Sequence, residues 1–118
     1  MFAIENWIQK DTEMVNEIIV IGGLTMRDDV DMAAYSTLSA KMYSIVSAMP
    51  GFQSVKKYTA DDGEVISLYR FDSEESLEAW RTNPEHVEAM KRGHSEFYAS
   101  GFLQICKVIR ESKVKKAN

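Results

Sequence analysis

The sequence of 118 residues lacks the features that mark several large classes of protein. It has a single cysteine, Cys106, so no internal disulfide can form, and a reducing cytoplasm suits such a chain. No apolar run approaches the roughly 20 residues that span a bilayer, and residues 1–16 lack the apolar core of a signal peptide. The net charge of −4 argues against nucleic acid as the main partner, because phosphates are bound by clustered Lys and Arg. We therefore expect a cytoplasmic protein whose partners include neither nucleic acid nor a membrane.

The composition is that of one ordinary globular domain. Hydrophobic residues make up 45% of the chain and charged residues 27%. A domain of this length buries roughly two thirds of its unfolded surface, so it needs neither a disulfide nor a metal to fold. We divide the chain into an N-terminal extension (1–16), a single domain (17–112) and a basic, solvated tail (113–118).

Hydrophobic periodicity predicts two kinds of element along this domain. Short apolar runs bounded by turn residues predict four strands, at residues 17–26, 52–60, 64–71 and 102–111. Apolar residues at three- and four-residue steps predict a helix over residues 28–48, which Pro50-Gly51 ends. A second helical region follows the third strand and is broken in two at Asn83-Pro84. The order β-α-β-β-α-β is the ferredoxin-like motif, an α+β fold with an antiparallel sheet.

Polar residues predict where the two parts of the second helical region begin and end. Asp72 is placed to cap the first part, with Glu75 completing a capping box, and Ser73 is the alternative cap. Asn83 is the predicted cap of the second part. Gly101 is predicted to end that part before the last strand begins.

Both faces of the predicted sheet are largely apolar. On the first strand Ile18 and Val20 point one way and Ile19 and Ile21 the other, and the third and last strands show the same mixture. If one face of the sheet were exposed to solvent, the chain would expose more apolar surface than monomers usually do. A two-fold partner that lays its own sheet against this face would cover it, so we expect a homodimer whose two sheets form a dimeric α/β barrel. Two alternatives stay open: residues 1–8 cover the face of a monomer, or they cross onto the partner.

Several segments between residues 50 and 98 form a recognisable pattern. They are Pro50-Gly51-Phe52, the run LYRFDSEE that begins at Leu68, Trp80-Arg81 followed by Pro84-Glu85-His86, Arg92-Gly93, and Phe97-Tyr98. The pattern resembles the antibiotic-biosynthesis-monooxygenase family. The resemblance implies a dimeric barrel with one ligand cavity per protomer, between the sheet and the helices. Members include monooxygenases of polyketide pathways that use neither a metal nor an organic cofactor, and others degrade haem, while relatives of the same fold cyclise polyketides or isomerise small metabolites.

The haem-degrading branch of the family is tested residue by residue. The resemblance implies an Asn on the first strand, a Trp on the broken helix and an axial His ten residues after that Trp. This sequence has Trp80, but Gly22 stands at the Asn position and Met90 at the axial position. His86 and His94 each lie one helical turn, or about 5.4 Å, from Met90, which is too far for the same haem pose. We therefore expect no cofactor, with haem as the alternative.

Three residues are candidates for catalysis. His94 lies four residues from both Met90 and Tyr98, so a helix would place it on the apolar face, where burial favours a neutral imidazole that accepts a proton. The family more often has arginine there, so the histidine indicates a different substrate. Trp80 would stack on a planar substrate, and Tyr98 would orient it through a hydroxyl. Each also has a structural interpretation, Trp80 as a core aromatic and His94 as a satisfied, partly buried histidine.

Four more residues are candidates for binding the substrate: Gly22, Tyr69, His86 and Met90. Gly22 lies within a strand, where a missing side chain leaves room for a ligand. His86 and His94 are two helical turns apart and no third ligand is evident, so we expect no metal site. Tyr58 could add a hydroxyl to the cavity, and Cys106 is expected to be a small buried hydrophobe.

The leading hypothesis is a cofactor-independent monooxygenase that acts on a planar aromatic or polyketide-like small molecule and dioxygen. His94 would assist deprotonation of the substrate, and the resulting anion would pass an electron to dioxygen. A haem-binding or haem-degrading protein with altered ligation is one alternative. A non-oxidative cyclase or isomerase, or a ligand-binding module of the same fold, is the other.

Overall fold

The computed structural model describes residues 7–11 and 16–116. In chain order its elements are strands β1 (Trp7–Asp11) and β2 (Ile18–Met26), helix α1 (Met32–Val46), strands β3 (Phe52–Thr59) and β4 (Val65–Phe71), helices α2 (Glu74–Arg81) and α3 (Pro84–Arg92), a π-helical turn (Gly93–Phe97), and strands β5 (Tyr98–Lys107) and β6 (Ser112–Lys116). Strands β2 to β5 form one antiparallel sheet in the order β3-β4-β2-β5. This order confirms the ferredoxin-like α+β fold. No helix in the described part of the chain is long and apolar enough to cross a membrane.

The hydrophobic core lies between the helices and one face of the sheet. It is built from Ile18, Val20 and Phe71 of the sheet, Val46 of α1 and Trp80 of α2. Because successive strand residues point to opposite faces, Ile18 and Val20 define the helix-facing side of the sheet and Ile19 and Ile21 the opposite side. The predicted division of the strand residues between two apolar faces is therefore confirmed.

The side of the sheet away from the helices, which we call the open face, carries apolar residues that the described part of the chain leaves partly or largely exposed. The pairing register places on it Ile19, Ile21, Ile66, Leu68, Phe102 and Cys106. Phe102 is 44% exposed, and Cys106 is also exposed because it pairs with Ile19 on the side that carries no helix. The prediction of a buried cysteine is thus wrong for the single chain. Of residues 1–8, which the sequence offered as a cover, residues 1–6 lie outside the described residues, and Trp7 and Ile8 belong to β1.

Helix α1 begins later than the sequence predicted. Residues 27–30 form a turn in which the Val30 N–H donates to the Arg27 carbonyl at 3.2 Å, and Asp31 then caps the helix by accepting from the Ala34 N–H at 3.0 Å. The predicted end of this helix before Pro50-Gly51 is confirmed. Gly51 has a positive φ of 87°, and a side chain there would overlap Ser76 at the start of the next helix.

The broken helix begins at the alternative cap. Ser73 caps α2 in a capping box with Ser76, so the prediction of Asp72 with Glu75 is wrong. Asp72 instead accepts hydrogen bonds from the hydroxyls of Ser73 and Ser76. The predicted cap of α3 is confirmed, because the Asn83 side chain accepts from two backbone N–H groups of its first turn.

The end of the chain differs most from prediction. Helix α3 does not run to Gly101 but passes into the π-helical turn, and β5 begins at Tyr98, so Gly101 lies within a strand. Strand β5 ends at Lys107, several residues before the predicted end. Residues 113–116, expected as part of a solvated tail, belong with Ser112 to strand β6, which pairs antiparallel with Trp7–Asp11 in a separate two-stranded sheet. Hydrophobic periodicity could not reveal this pairing because β6 is mostly lysine.

Candidate active site

Three tyrosines from three different elements meet on the helix-facing side of the sheet. Tyr35 comes from α1, Tyr69 from β4 and Tyr98 from the start of β5, and the rings of Tyr35 and Tyr98 are edge-to-face with centroids 6.3 Å apart. Burial raises the pKa of all three phenols, and charge on one phenol would oppose charge on the next. A hydrogen bond with Ser39 partly offsets this effect on the pKa of Tyr35. At neutral pH the cluster is therefore a set of protonated hydroxyls that can donate hydrogen bonds.

His94 lies beside this cluster. Its imidazole meets the Tyr98 ring edge-to-face, with ring centroids 5.9 Å apart and an interplanar angle of 85°. The side chain is exposed, so the predicted burial of His94 is wrong for the single chain. Met90, one turn before His94 on the broken helix, is also exposed, at 38%. The helix face that carries both residues is therefore not buried in the single chain, whereas the prediction took it to be the buried face.

The floor of the site is formed by two rows of residues that cross the sheet. Val20 pairs with Tyr69 on one side and Ile105 on the other, and in the next row Gly22 pairs with Ser67 and Leu103. Although they face the helices, Ile105 and Leu103 are 54% and 65% exposed. Small residues stand at the centre of the second row, and we call the space above the two rows, on the helix side of the sheet, the cleft. A Cβ atom added at Gly22 would reach into this cleft, 3.4 Å from Leu103 Cδ1.

Trp80 and His86 form a second aromatic pair, farther back along the broken helix. Trp80 is only 7% exposed and belongs to the core, and its indole is stacked on the His86 ring with centroids 4.2 Å apart. The His86 Nδ1 atom is buried and has no hydrogen-bond partner of good geometry. Burial lowers the pKa of His86, and the nearby backbone of Arg81 and Trp80 offsets this only in part. Burial therefore favours the neutral form of the His86 imidazole.

The remaining candidates are dispersed. Met90 is 38% exposed on α3, and Tyr58 is 49% exposed and pairs with Ile66 on the open face, away from the other tyrosines. Tyr35, one of the residues whose three- and four-residue spacing predicted helix α1, takes the place expected for Tyr58. Its helical spacing was visible in the sequence, but which of the five tyrosines converge depends on strand register.

Two other concave surfaces in the described part of the chain are lined by different chemistry. One, of about 540 Å³, lies where β2 and β4 separate beyond the Gly22–Ser67 pair, and a second, of about 400 Å³, lies between α1 and α3. Neither is lined by an imidazole or a phenol. We therefore place the candidate site by the convergence of its reactive groups rather than by volume.

The described residues give little support to a metal or a haem. Within residues 7–11 and 16–116, no group of three or more His, Cys, Asp or Glu residues could hold a metal ion. The Trp that the haem-degrading pattern requires is present as Trp80, but its indole is buried under His86. Met90 stands at the axial position, and His94 lies at the opposite end of α3 from His86. These residues do not fit the ligation that the resemblance implies.

The fold and the sheet order place the chain in the class of small ferredoxin-like α+β domains. Residues 18–92 match the sequence model of the family described as antibiotic biosynthesis monooxygenase, and the chain belongs to this family.

Known proteins resemble the chain over most of its length. The uncharacterized protein YqjZ of Bacillus subtilis (strain 168) is 26% identical over 106 residues, or 90% of each chain. Among solved structures, Rv0793 from Mycobacterium tuberculosis has a TM-score of 0.63 at 22% identity, covering 76% of this chain and 92% of that one. SnoaB, a cofactor-independent oxygenase from Streptomyces nogalater, has a TM-score of 0.63 at 9% identity, covering 79% and 93%. At these identities the two solved structures show the shared fold.

Proposed function

We propose that the protein is a cofactor-independent monooxygenase that acts on a planar, electron-rich aromatic or polyketide-like substrate. The observation that carries the proposal is the convergence of three protonated phenols and an imidazole above an apolar floor. Such a cleft suits a flat apolar ligand with a few oxygen atoms. Family membership and the fold shared with a cofactor-independent oxygenase support the same reaction type.

In the proposed reaction the imidazole removes a proton from the substrate and the phenols stabilise the negative charge that develops. A methylene carbon between aromatic rings illustrates the balance: CH2 + O2 gives C=O + H2O, so the substrate supplies all the electrons and no external reductant is needed. His94 would accept the first proton, and the resulting carbanion would pass one electron to dioxygen. Recombination gives a peroxide, from which one oxygen atom leaves as water while the other forms the carbonyl. Tyr98 and its two neighbours would donate hydrogen bonds to the oxyanions that develop.

The other candidates have supporting roles in this proposal. We retain the prediction that Tyr69, His86 and Met90 contact the substrate, with Gly22 providing space for it. Because the Trp80 indole is buried, we expect Trp80 to act by supporting His86 rather than by stacking on the substrate itself. The reaction therefore depends mainly on the His94 end of the broken helix.

Oxygen uptake with an anthrone as the probe tests the reaction. We expect uptake that depends on the protein, and His94→Ala should lower turnover by at least about tenfold without unfolding the chain. Tyr98→Phe should also lower turnover, whereas Tyr58→Phe is the matched control, since Tyr58 lies on the open face. Turnover without dioxygen would point to a cyclase or isomerase, and a Soret shift on addition of hemin would point to a haem protein. Unchanged turnover in His94→Ala would remove this residue from the mechanism.

We also propose that the protein forms a homodimer through the open face. The exposed apolar residues of this face, among them Phe102, need a cover that the described residues of one chain do not provide. In analytical ultracentrifugation we expect a dimer, which Phe102→Asp should convert to monomers. Val87→Asp is the matched control, because Val87 is 37% exposed on α3, on the helix side. A monomeric parent protein would contradict the proposal.

A further inference from the structure

Arg27, the residue that follows strand β2, forms hydrogen bonds that hold the end of the broken helix against that strand. The Arg27 guanidinium donates from Nη2 to the His94 carbonyl at 2.8 Å and from Nε to the Tyr98 carbonyl at 3.1 Å. The Arg27 backbone N–H donates to the Phe97 carbonyl at 2.9 Å. One residue thus contacts three carbonyl groups across the junction of the π-helical turn and β5.

Two of these carbonyls, those of His94 and Phe97, belong to the π-helical turn and need partners from outside it. The last carbonyl groups of any helix have no acceptor role within it, because no further turn supplies N–H donors. A cation near them is also favoured by the helix dipole. Arg27 provides both the donors and the charge, and it is held in turn by the Val30 N–H, which donates to its carbonyl. The backbone of His94 and Tyr98 is therefore tied to the end of β2.

Gly93 constrains the same junction from the other side. Its φ of −57° is one that any residue can adopt, so glycine is not needed there for backbone conformation. A Cβ atom at Gly93 would, however, overlap the ring of Tyr98. The Tyr98 ring consequently packs directly against the Gly93 backbone, next to the His94 imidazole.

We propose that Arg27 is a positioning residue: it fixes the π-helical turn so that the His94 imidazole and the Tyr98 phenol face the same cleft. Arg27 acts through backbone carbonyls and not on the substrate. The catalytic consequence rests on the function proposed above, whereas the geometric claim does not. Misplacement of catalytic groups by about 1 Å can cost on the order of a hundredfold in rate, so loss of this fastening should lower kcat more than it raises KM.

The two histidines of the chain allow a test that needs no substrate. In two-dimensional NMR spectra of the imidazoles, each histidine gives its own signals, which His94→Gln assigns. Because His94 lies at the edge of the Tyr98 ring, its signals report the arrangement of the pair. We expect Arg27→Gln to shift the His94 signals clearly more than the His86 signals. Arg27→Lys keeps the positive charge but lacks the several N–H donors of a guanidinium, so it should shift the His94 signals by an intermediate amount. Gly93→Ala should also shift the His94 signals.

Arg110→Gln is the matched control, because Arg110 is exposed between β5 and β6. His94 signals that stay unchanged in both Arg27 variants would overturn the proposal, and if Arg27→Gln does not fold, Arg27→Lys decides alone. In oxygen uptake we expect Arg27→Gln to lower kcat by about tenfold or more with a smaller change in KM. If the signals shift but neither Arg27→Gln nor His94→Ala changes turnover, the positioning role stands and the proposed function fails.

Discussion

The broken helix carries two pairs of a histidine and an aromatic ring, and the pairs differ in almost every physical respect. Trp80 and His86 are stacked at 4.2 Å with an angle of 26° between their rings, and Trp80 is part of the core. His94 and Tyr98 meet edge-to-face at 5.9 Å, and His94 is exposed. The Trp80–His86 pair is packed like a protein interior, whereas the His94–Tyr98 pair places polar atoms beside the cleft.

The difference follows from what surrounds each pair. The first pair lies over the buried end of the sheet, where Ile18 and Phe71 fill the space beneath the helix. The second lies at the end of β2, where Tyr98 pairs with Met26, and the small residues Gly22 and Ser67 pair farther along the sheet. The same helix thus contributes to stability at one end and offers reactive groups at the other. Substitutions at the two ends should accordingly have different kinds of effect.

Trp80→Ala should have the largest effect on stability. Removing a core indole leaves a cavity, and such substitutions typically cost about 3–5 kcal/mol of unfolding free energy. Urea denaturation measures the loss, with Tyr98→Phe as the comparison at the other end of the helix, where we expect a change within about 1 kcal/mol. A loss from Trp80→Ala no larger than that of Tyr98→Phe would break the distinction between the two pairs.

The pH dependence of stability should identify His86 as the buried histidine. Its pKa is lowered in the folded state, so the folded protein binds this proton more weakly than the unfolded chain. The contribution to stability is therefore present above the unfolded pKa of about 6.5 and is lost as the pH falls through the lower folded value. Urea midpoints measured from pH 7.5 to pH 5 should fall less steeply for His86→Gln than for the parent. An identical slope in the two proteins would show that His86 does not carry this effect.

Gly22→Ala should have the smallest effect. The glycine has no positive φ, and the new methyl group would contact Leu103 at 3.4 Å, so we expect the unfolding free energy to change by less than about 1 kcal/mol. The methyl group narrows the cleft, so KM for a planar substrate should rise a few-fold while kcat changes less. Gly22→Leu should extend the same trend to loss of binding. A lower KM in either variant would mean that the substrate lies elsewhere.

The fold was predictable because its signals are local or periodic. Short apolar runs bounded by turn residues gave the strands, the two-residue period of a strand gave their faces, and the breaks at Gly51 and Asn83 gave helix boundaries. Capping by Ser73 rather than Asp72 was less certain because both residue types cap helices well. The β1–β6 pairing joins opposite ends of the chain, and no local pattern reports it.

The candidate site was predictable in its residue types but not in its geometry. His94 and Tyr98 were predicted to be neighbours from their spacing on an ideal α-helix. In the structure a π-helical turn connects them, and no pattern of residues in the sequence predicts such a turn. Arg27 was missed because an isolated arginine after a strand gives no sign of the carbonyls it will meet. Tyr35 was missed as a site residue because its hydroxyl could be placed only once the register of β4 and β5 was known.

The central claim is that chemistry takes place at the His94 end of the broken helix. The most direct test is to add a substrate probe stepwise and to follow the NMR signals of the two imidazoles. An anthrone is added under nitrogen, so that no oxidation occurs, while the imidazole NMR signals are followed. The account predicts that the His94 signals shift saturably while the His86 signals move much less, and that Tyr98→Phe weakens this response. A saturable shift confined to His86, or binding that leaves His94 unchanged, would contradict it.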